Sequence, residues 1–118
     1  MNILISNGRV IDPARRSDSV QNVYVAHGKI VALGSAPDGF HAERTIDASG
    51  LVVAPGFIDL AARLREPGFE YRATLESEME AAMAGGVTSL AIPPDTDPTL
   101  DEPGLVEMLT YRAKKLNR

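Results

Sequence analysis

Short apolar runs separated by turn residues dominate residues 1–53 and predict β-strands. Asn7-Gly8 and His27-Gly28 are predicted hairpin turns, because Asn and Gly tolerate positive φ and each pair stands between two apolar runs. Residues 13–19 are a predicted polar connection, and residues 48–50 form a third turn. The pattern predicts a small β module over residues 1–54, which we interpret as one half of a sandwich.

Residues 54–68 carry an apolar run with a Pro-Gly pair near each end, which is typical of one buried strand. Side chains alternate across a strand, so one face holds only apolar residues: Ile58, Leu60, Ala62 and Leu64. The opposite face becomes polar towards its C-terminal end: Phe57, Asp59, Ala61, Arg63 and Arg65. Such a strand suits an α/β barrel with helices outside and a site at its mouth.

The pattern after residue 68 predicts helix, strand and helix. A first helix over residues 74–84 has Thr74 as N-cap and ends at Gly85-Gly86. Its predicted core face is Leu75, Met79, Ala82 and Met83. A strand over residues 87–92 follows, and a second helix begins near residues 101–103. This helix carries Leu105, Leu109, Arg112 and Leu116 on one stripe, and the cations Lys114, Lys115 and Arg118 at its C-terminal end. Residues 55–118 are therefore predicted to be the first two βα units of an α/β barrel.

Composition places limits on this picture. The 118 residues are 44% hydrophobic and 24% charged, which is ordinary for a globular protein. A complete barrel of this type needs about 250 residues, so the chain is expected to contain only the beginning of one. A net charge of −4 without a basic cluster argues against nucleic acid or an anionic membrane as partner and favours a cytoplasmic location. Cysteine is absent, which excludes disulfides and thiolate metal ligands.

The segment from Pro55 to Gly68 resembles the first barrel strand of the dihydroorotase branch of the amidohydrolase superfamily, whose pattern is Pro-Gly-Phe-Ile-Asp-Leu-His-x-His-Leu-Arg-Glu-Pro-Gly. The turns at residues 7–12 and 46–50 also look like those of the family. The resemblance implies zinc in active members, held partly by the two histidines of the pattern. Those histidines fall on Ala61, which has no donor atom, and on Arg63, a permanent cation without a lone pair. We therefore expect no zinc here, and the family's remaining ligands belong to later strands.

Three further positions match family residues near the substrate. Asp59 matches an acidic residue on the strand, and we expect it to be hydrogen-bonded or ion-paired. Arg65 matches the arginine that holds a substrate carboxylate. Its usual partner is the first Asn of an Asn-Thr-Asn-Pro turn, which here begins with Asp95 and continues through Asp97. We hypothesise that Arg65 and Asp95 pair in the vacated substrate position; the alternative is two separate solvated charges. The only histidines, His27 and His41, are expected to be polar surface.

The departures from the family pattern fall on chemical positions, whereas the structural positions match: Pro55, Gly56, Pro67, Gly68, Gly85 and Gly86. Catalytically degenerate members of this family are associated with aspartate transcarbamoylase. The resemblance thus implies a non-catalytic structural partner of that enzyme in pyrimidine biosynthesis, in a homo- or hetero-oligomer. The alternative is the N-terminal part of a metal-dependent cyclic amidohydrolase of dihydroorotase, hydantoinase or allantoinase type. A third possibility is a folding fragment with no role of its own.

Overall fold

The computed structural model describes residues 1–116, so the predicted C-terminal cation Arg118 lies outside the described residues. The chain divides into two compact units, Met1–Pro55 and Gly56–Arg118. The division falls one residue from the boundary expected from the sequence. No helix within residues 1–116 is long and apolar enough to cross a membrane.

The first unit contains one five-stranded sheet. Its strands are β1 (Ile3–Asp12), β2 (Ser17–Ala26), β3 (Lys29–Leu33), β4 (Arg44–Asp47) and β5 (Val52–Val53). The order is β3-β2-β1-β4, and β5 pairs with β1 beyond the end of β4. The chain neighbours β1, β2 and β3 pair antiparallel, whereas β4 and β5 run parallel to β1. The predicted β module is therefore a single mixed sheet built around β1.

The predicted hairpin at Asn7-Gly8 is wrong, because β1 runs straight through this pair. The pairing of β1 with β2 shifts its register between Ile5 and Gly8, which marks a β-bulge. Asn7 has φ 61°, and its backbone N–H donates to the side-chain oxygen of Asn22 at 3.0 Å. A bulge and a tight turn both use the left-handed conformation that Asn tolerates, so the residue types did not separate them. The first reversal lies at residues 13–16 instead, and the predicted connection is shorter because β2 already begins at Ser17.

The other two predicted turns of the first unit are confirmed. His27 and Gly28 have φ 52° and 72°, and they join β2 to β3 in a two-residue hairpin. Residues 48–50 separate β4 from β5. The Asp47 carboxylate accepts hydrogen bonds from the Ser49 hydroxyl and N–H at 2.6 and 3.0 Å, and these bonds lower the pKa of Asp47. The buried core of the unit is small: Val10, Val23, Tyr24 and Ala48.

The second unit has the predicted order of strand, helix, strand and helix. Its elements are β6 (Phe57–Asp59), α1 (Leu75–Ala84), β7 (Val87–Leu90) and α2 (Pro103–Leu116). The strands β6 and β7 are parallel, as expected for consecutive βα units. Both are shorter than predicted, although the Ala91 N–H still donates to the Asp59 carbonyl at 2.8 Å and the Ala62 N–H donates to the Ala91 carbonyl at 3.0 Å. The predicted long first strand is therefore a short strand followed by an irregular segment.

The core of the second unit joins this irregular segment to both helices. Its buried members are Ala62, Leu64, Leu75 and Leu109. The predicted N-cap is confirmed, since the Thr74 hydroxyl accepts from the Ser77 N–H and the Ser77 hydroxyl accepts from the Thr74 N–H. The predicted core face is correct for Leu75 and Met79, but Met83 is mostly exposed. Ile58 and Leu60 are also 65% and 80% exposed, so only the second half of the predicted apolar strand face is buried.

Candidate functional site

Two loops meet at the C-terminal ends of β6 and β7. The first covers residues 60–68 and the second residues 91–98. The Asp97 N–H donates to the Pro67 carbonyl at 3.2 Å. Gly68 has φ 97° and lies so close to Asp97 that a Cβ there would overlap the Asp97 carbonyl group. The two loops therefore pack backbone against backbone, which explains why glycine is needed at position 68.

Arg63 and Asp95 form the ion pair at this junction. The Arg63 Nε lies 3.2 Å from an Asp95 carboxylate oxygen, and both side chains are more than one-third exposed. The hypothesised pair of Arg65 with Asp95 is wrong: among residues 1–116, Arg65 has no carboxylate within 4.0 Å of its guanidinium. Arg65 has φ 64°, so the backbone there is left-handed and does not continue the strand alternation that placed its side chain beside that of Arg63.

The remaining predicted residues have local roles. Asp59 accepts a hydrogen bond from the Ala61 N–H at 2.9 Å, an Asx turn that bends the chain just after β6. Asp97 contributes its backbone to the loop contact. His27 lies in the hairpin turn and His41 in a loop of the first unit, and both are exposed. Asp59 thus agrees with the expected hydrogen-bonded carboxylate.

The residues at the predicted ligand positions do not fit zinc. Ala61 has no donor atom in its side chain, and its backbone N–H donates to the Asp59 carboxylate. Arg63 places a cation at the second position and pairs it with Asp95. Zinc sites need three or four nitrogen, sulfur or carboxylate ligands. Within the described part of the chain, no three or more His, Asp or Glu side chains are grouped so that they could hold a metal ion.

A second ion pair, which the sequence analysis missed, connects the first loop to both helices. The Glu66 carboxylate accepts from the Leu75 N–H at 2.8 Å with one oxygen and pairs with Arg112 at 2.5 Å through the other. The Glu66 side chain is 6% exposed, whereas Arg112 is 52% exposed. Glu66 thereby satisfies a free N–H in the first turn of α1 and ties that turn to α2. The available signal was Arg112, a charge on the otherwise apolar stripe of the predicted helix.

A surface depression of 370 Å³ lies beside this pair. Its walls come from the start of α1 and the end of α2: Glu66, Thr74, Leu75, Glu76, Arg112, Lys115 and Leu116. The carboxylate already occupies the helix N-terminus, and its charge is matched by Arg112. The arrangement is that of a structural connection, and no nucleophile paired with a base lines the depression.

The fold is that of the N-terminal part of a hydantoinase-type amidohydrolase. The chain superposes on L-hydantoinase (dihydropyrimidinase) from Arthrobacter aurescens with a TM-score of 0.81 and 25% identity, over 94% of this chain and 24% of that one. A D-hydantoinase structure gives a TM-score of 0.70 and 29% identity, over 96% and 24% of the two chains.

The chain belongs to the dihydroorotase-like family. The family model described as "Dihydro-orotase-like" matches residues 50–118. A "dihydroorotase-like protein" of Pseudomonas aeruginosa is 50% identical over 98% of this chain, and a "dihydroorotase" of Geobacter metallireducens is 43% identical over 97%. Both matches cover 27% of the relative, so the chain spans about a quarter of the length of these relatives.

Proposed function

We propose that this chain is the N-terminal part of a non-catalytic dihydroorotase-like protein. The observation that carries the proposal is the Arg63–Asp95 ion pair at the strand ends, where the family resemblance puts the metal-binding pair of histidines. A guanidinium cannot bind zinc, and its own charge repels a metal cation. Ala61, two residues earlier, adds no ligand. A site built this way lacks the means to activate water at neutral pH by metal coordination.

The proposed role is structural: the protein acts as a partner of aspartate transcarbamoylase in cytoplasmic pyrimidine biosynthesis, within a homo- or hetero-oligomer. The family resemblance suggests this partner. The pattern of changes supports a retained scaffold, because the loop contact at Gly68 and the buried Glu66 connection are both intact while the ligand positions are changed. The acidic, cysteine-free composition is compatible with the cytoplasm.

The test uses the full-length protein that carries this chain, purified with and without the aspartate transcarbamoylase of the same organism. We expect substoichiometric zinc by elemental analysis, no hydrolysis of dihydroorotate, and comigration of the two proteins in size-exclusion chromatography with light scattering. A dihydroorotase that keeps both histidines serves as the positive control for metal and turnover. Separate migration, with a transcarbamoylase that is fully active alone, would count against the structural role.

The second candidate is a metal-dependent cyclic amidohydrolase of dihydroorotase, hydantoinase or allantoinase type. The names of the relatives favour it, since the Geobacter metallireducens relative is named dihydroorotase and the structural neighbours are hydantoinases. In such an enzyme the metal ligands would have to come from the rest of the protein. Stoichiometric zinc together with turnover of dihydroorotate or a hydantoin by the full-length protein would establish this candidate and remove the first.

A further inference from the structure

The loop at residues 65–72 contains two exposed side chains that a partner could contact, Tyr71 and Arg72, although its sequence is charge-balanced. Both of its glutamates accept backbone hydrogen bonds, although only Glu66 is buried. Glu66 is buried against Leu75 and Arg112. Glu70 turns back on its own loop, where its carboxylate accepts the Gly68 N–H at 3.0 Å; this bond and the backbone N–H of Glu70 itself lower the pKa of Glu70. Within residues 1–116, neither glutamate forms an ion pair with an arginine of this loop.

Arg72 is held in place by two aromatic rings. Its guanidinium carbon lies 5.8 Å from the centre of the Phe69 ring and 5.5 Å from that of the Tyr71 ring. The two rings meet edge to face, with their centres 6.5 Å apart. Among residues 1–116, Arg72 has no carboxylate within 4.0 Å. Tyr71 is 78% exposed. The Arg72 guanidinium is thus oriented by the two rings and has no ion-pair partner within residues 1–116. Its N–H donors are left available to a binding partner.

We propose that Tyr71 and Arg72 form a protein-docking anchor, in which Arg72 pairs with a carboxylate on the partner and Tyr71 packs beside that pair. The proposal rests on the proposed function, since it assigns the surface by which the scaffold holds its protein partner. Tyr and Arg are the residue types enriched where binding energy concentrates in interfaces. Stacking on the rings also reduces the rotamer freedom that Arg72 would otherwise lose on binding.

The charge pattern favours an acidic protein surface over other anionic partners. Membrane surfaces and nucleic acids are held by several Lys and Arg side chains acting together. Here one oriented guanidinium stands on a chain whose net charge is −4. A single planar guanidinium is suited to bidentate pairing with one carboxylate, such as an Asp or Glu side chain on the surface of another protein.

The experiment measures the affinity of the full-length protein for purified aspartate transcarbamoylase. The test variants are Tyr71→Ala and Arg72→Glu, and the matched control is Arg44→Glu, an exposed arginine of β4 that also lacks an ion pair within residues 1–116. Each test variant is expected to raise the Kd about tenfold or more, as loss of an interface anchor does. The effect of Arg72→Glu should shrink as salt is added, and Arg44→Glu should leave the Kd unchanged.

Each outcome decides the proposal. Far-UV circular dichroism and thermal unfolding first establish that the variants are folded, and Arg72→Gln replaces any variant that is not. If the wild-type protein binds and Arg72→Glu behaves like Arg44→Glu, the anchor is rejected while the structural role stands. If the wild-type protein does not bind the transcarbamoylase at all, the proposed function fails, and the anchor fails with it. If a transcarbamoylase variant with one surface carboxylate changed to Lys restores the binding of Arg72→Glu, that carboxylate is the residue that Arg72 contacts.

Discussion

At the scale of single residues, two Arg–carboxylate pairs only a few positions apart contribute differently to the stability of the fold. The Arg63 and Asp95 side chains are 61% and 38% exposed, so water and salt screen their attraction. Glu66 is buried and bonded through both oxygens, once to the Leu75 N–H and once to Arg112. A buried carboxylate that loses such partners stays desolvated without compensating contacts, which destabilises the fold. An exposed carboxylate that loses its partner is hydrated by water instead. Burial therefore decides which of the two pairs contributes more to the stability of the fold.

We predict that Glu66→Ala lowers the free energy of unfolding of the full-length protein by about 2–4 kcal/mol, because the buried carboxylate that accepts from the Leu75 N–H and pairs with Arg112 is lost. The matched control Asp95→Ala removes an exposed carboxylate and should cost less than about 1 kcal/mol. Urea unfolding measures both values. Amide hydrogen exchange at Leu75 should accelerate in Glu66→Ala and stay unchanged in Asp95→Ala. Equal losses in the two variants would show that burial does not separate the pairs.

At the scale of secondary-structure elements, the sequence predicted both helices because local signals determine them. Thr74 caps α1 through contacts with Ser77, three residues away, and Leu109 is the buried centre of the α2 stripe. The strands were harder to predict. At Asn7 the left-handed conformation makes a bulge instead of a turn, and at Asp59 a side-chain hydrogen bond bends a run whose alternation suggested a longer strand.

Ion pairs between residues far apart in the sequence were the part of the site that residue patterns could not predict. Arg65 was paired with Asp95 because the resemblance makes the equivalent residues of the family partners, whereas in the structure Asp95 pairs with Arg63. The connection from Glu66 to Arg112 crosses 46 positions of sequence, and no local spacing encodes it. The unsuitability of Ala61 and Arg63 as zinc ligands, in contrast, follows from side-chain chemistry alone. That part of the candidate site could be predicted without coordinates.

The loop junction gives a prediction for glycine. Gly68 has φ 97° and no room for a Cβ beside Asp97, whereas Gly39 has φ 72° and no heavy atom within 4 Å of the place where a Cβ would lie. Gly39→Ala should cost about 1–2 kcal/mol from left-handed strain alone. Gly68→Ala adds a backbone clash and should cost at least about 2 kcal/mol more. Thermal or urea unfolding of the full-length variants measures the difference, and equal costs would refute the close packing of the two loops.

At the scale of the whole molecule, the chain exposes apolar side chains that a complete protein of this family has the length to cover. Ile58 on β6 and Leu60 just after this strand are 65% and 80% exposed, and Ile30 on the edge strand β3 is 67% exposed. The relatives are nearly four times as long, since this chain spans 27% of them. Exposed apolar residues at a two-stranded sheet are typical of a sheet that is covered or extended by further strands in a larger protein.

The substitution Leu60→Lys is therefore expected to affect the free energy of unfolding differently in the isolated chain and in the full-length protein. In the 118-residue chain expressed alone, Leu60→Lys should reduce self-association in sedimentation experiments and leave the free energy of unfolding unchanged, because Leu60 is already in water. In the full-length protein, where later strands would cover this position, the same substitution should lower the free energy of unfolding by about 2 kcal/mol or more. Ser35→Lys, at an exposed polar loop position, adds the same charge without removing apolar surface and is the matched control in both contexts. A full-length protein that tolerates Leu60→Lys as well as Ser35→Lys would show that no further strand packs on this face.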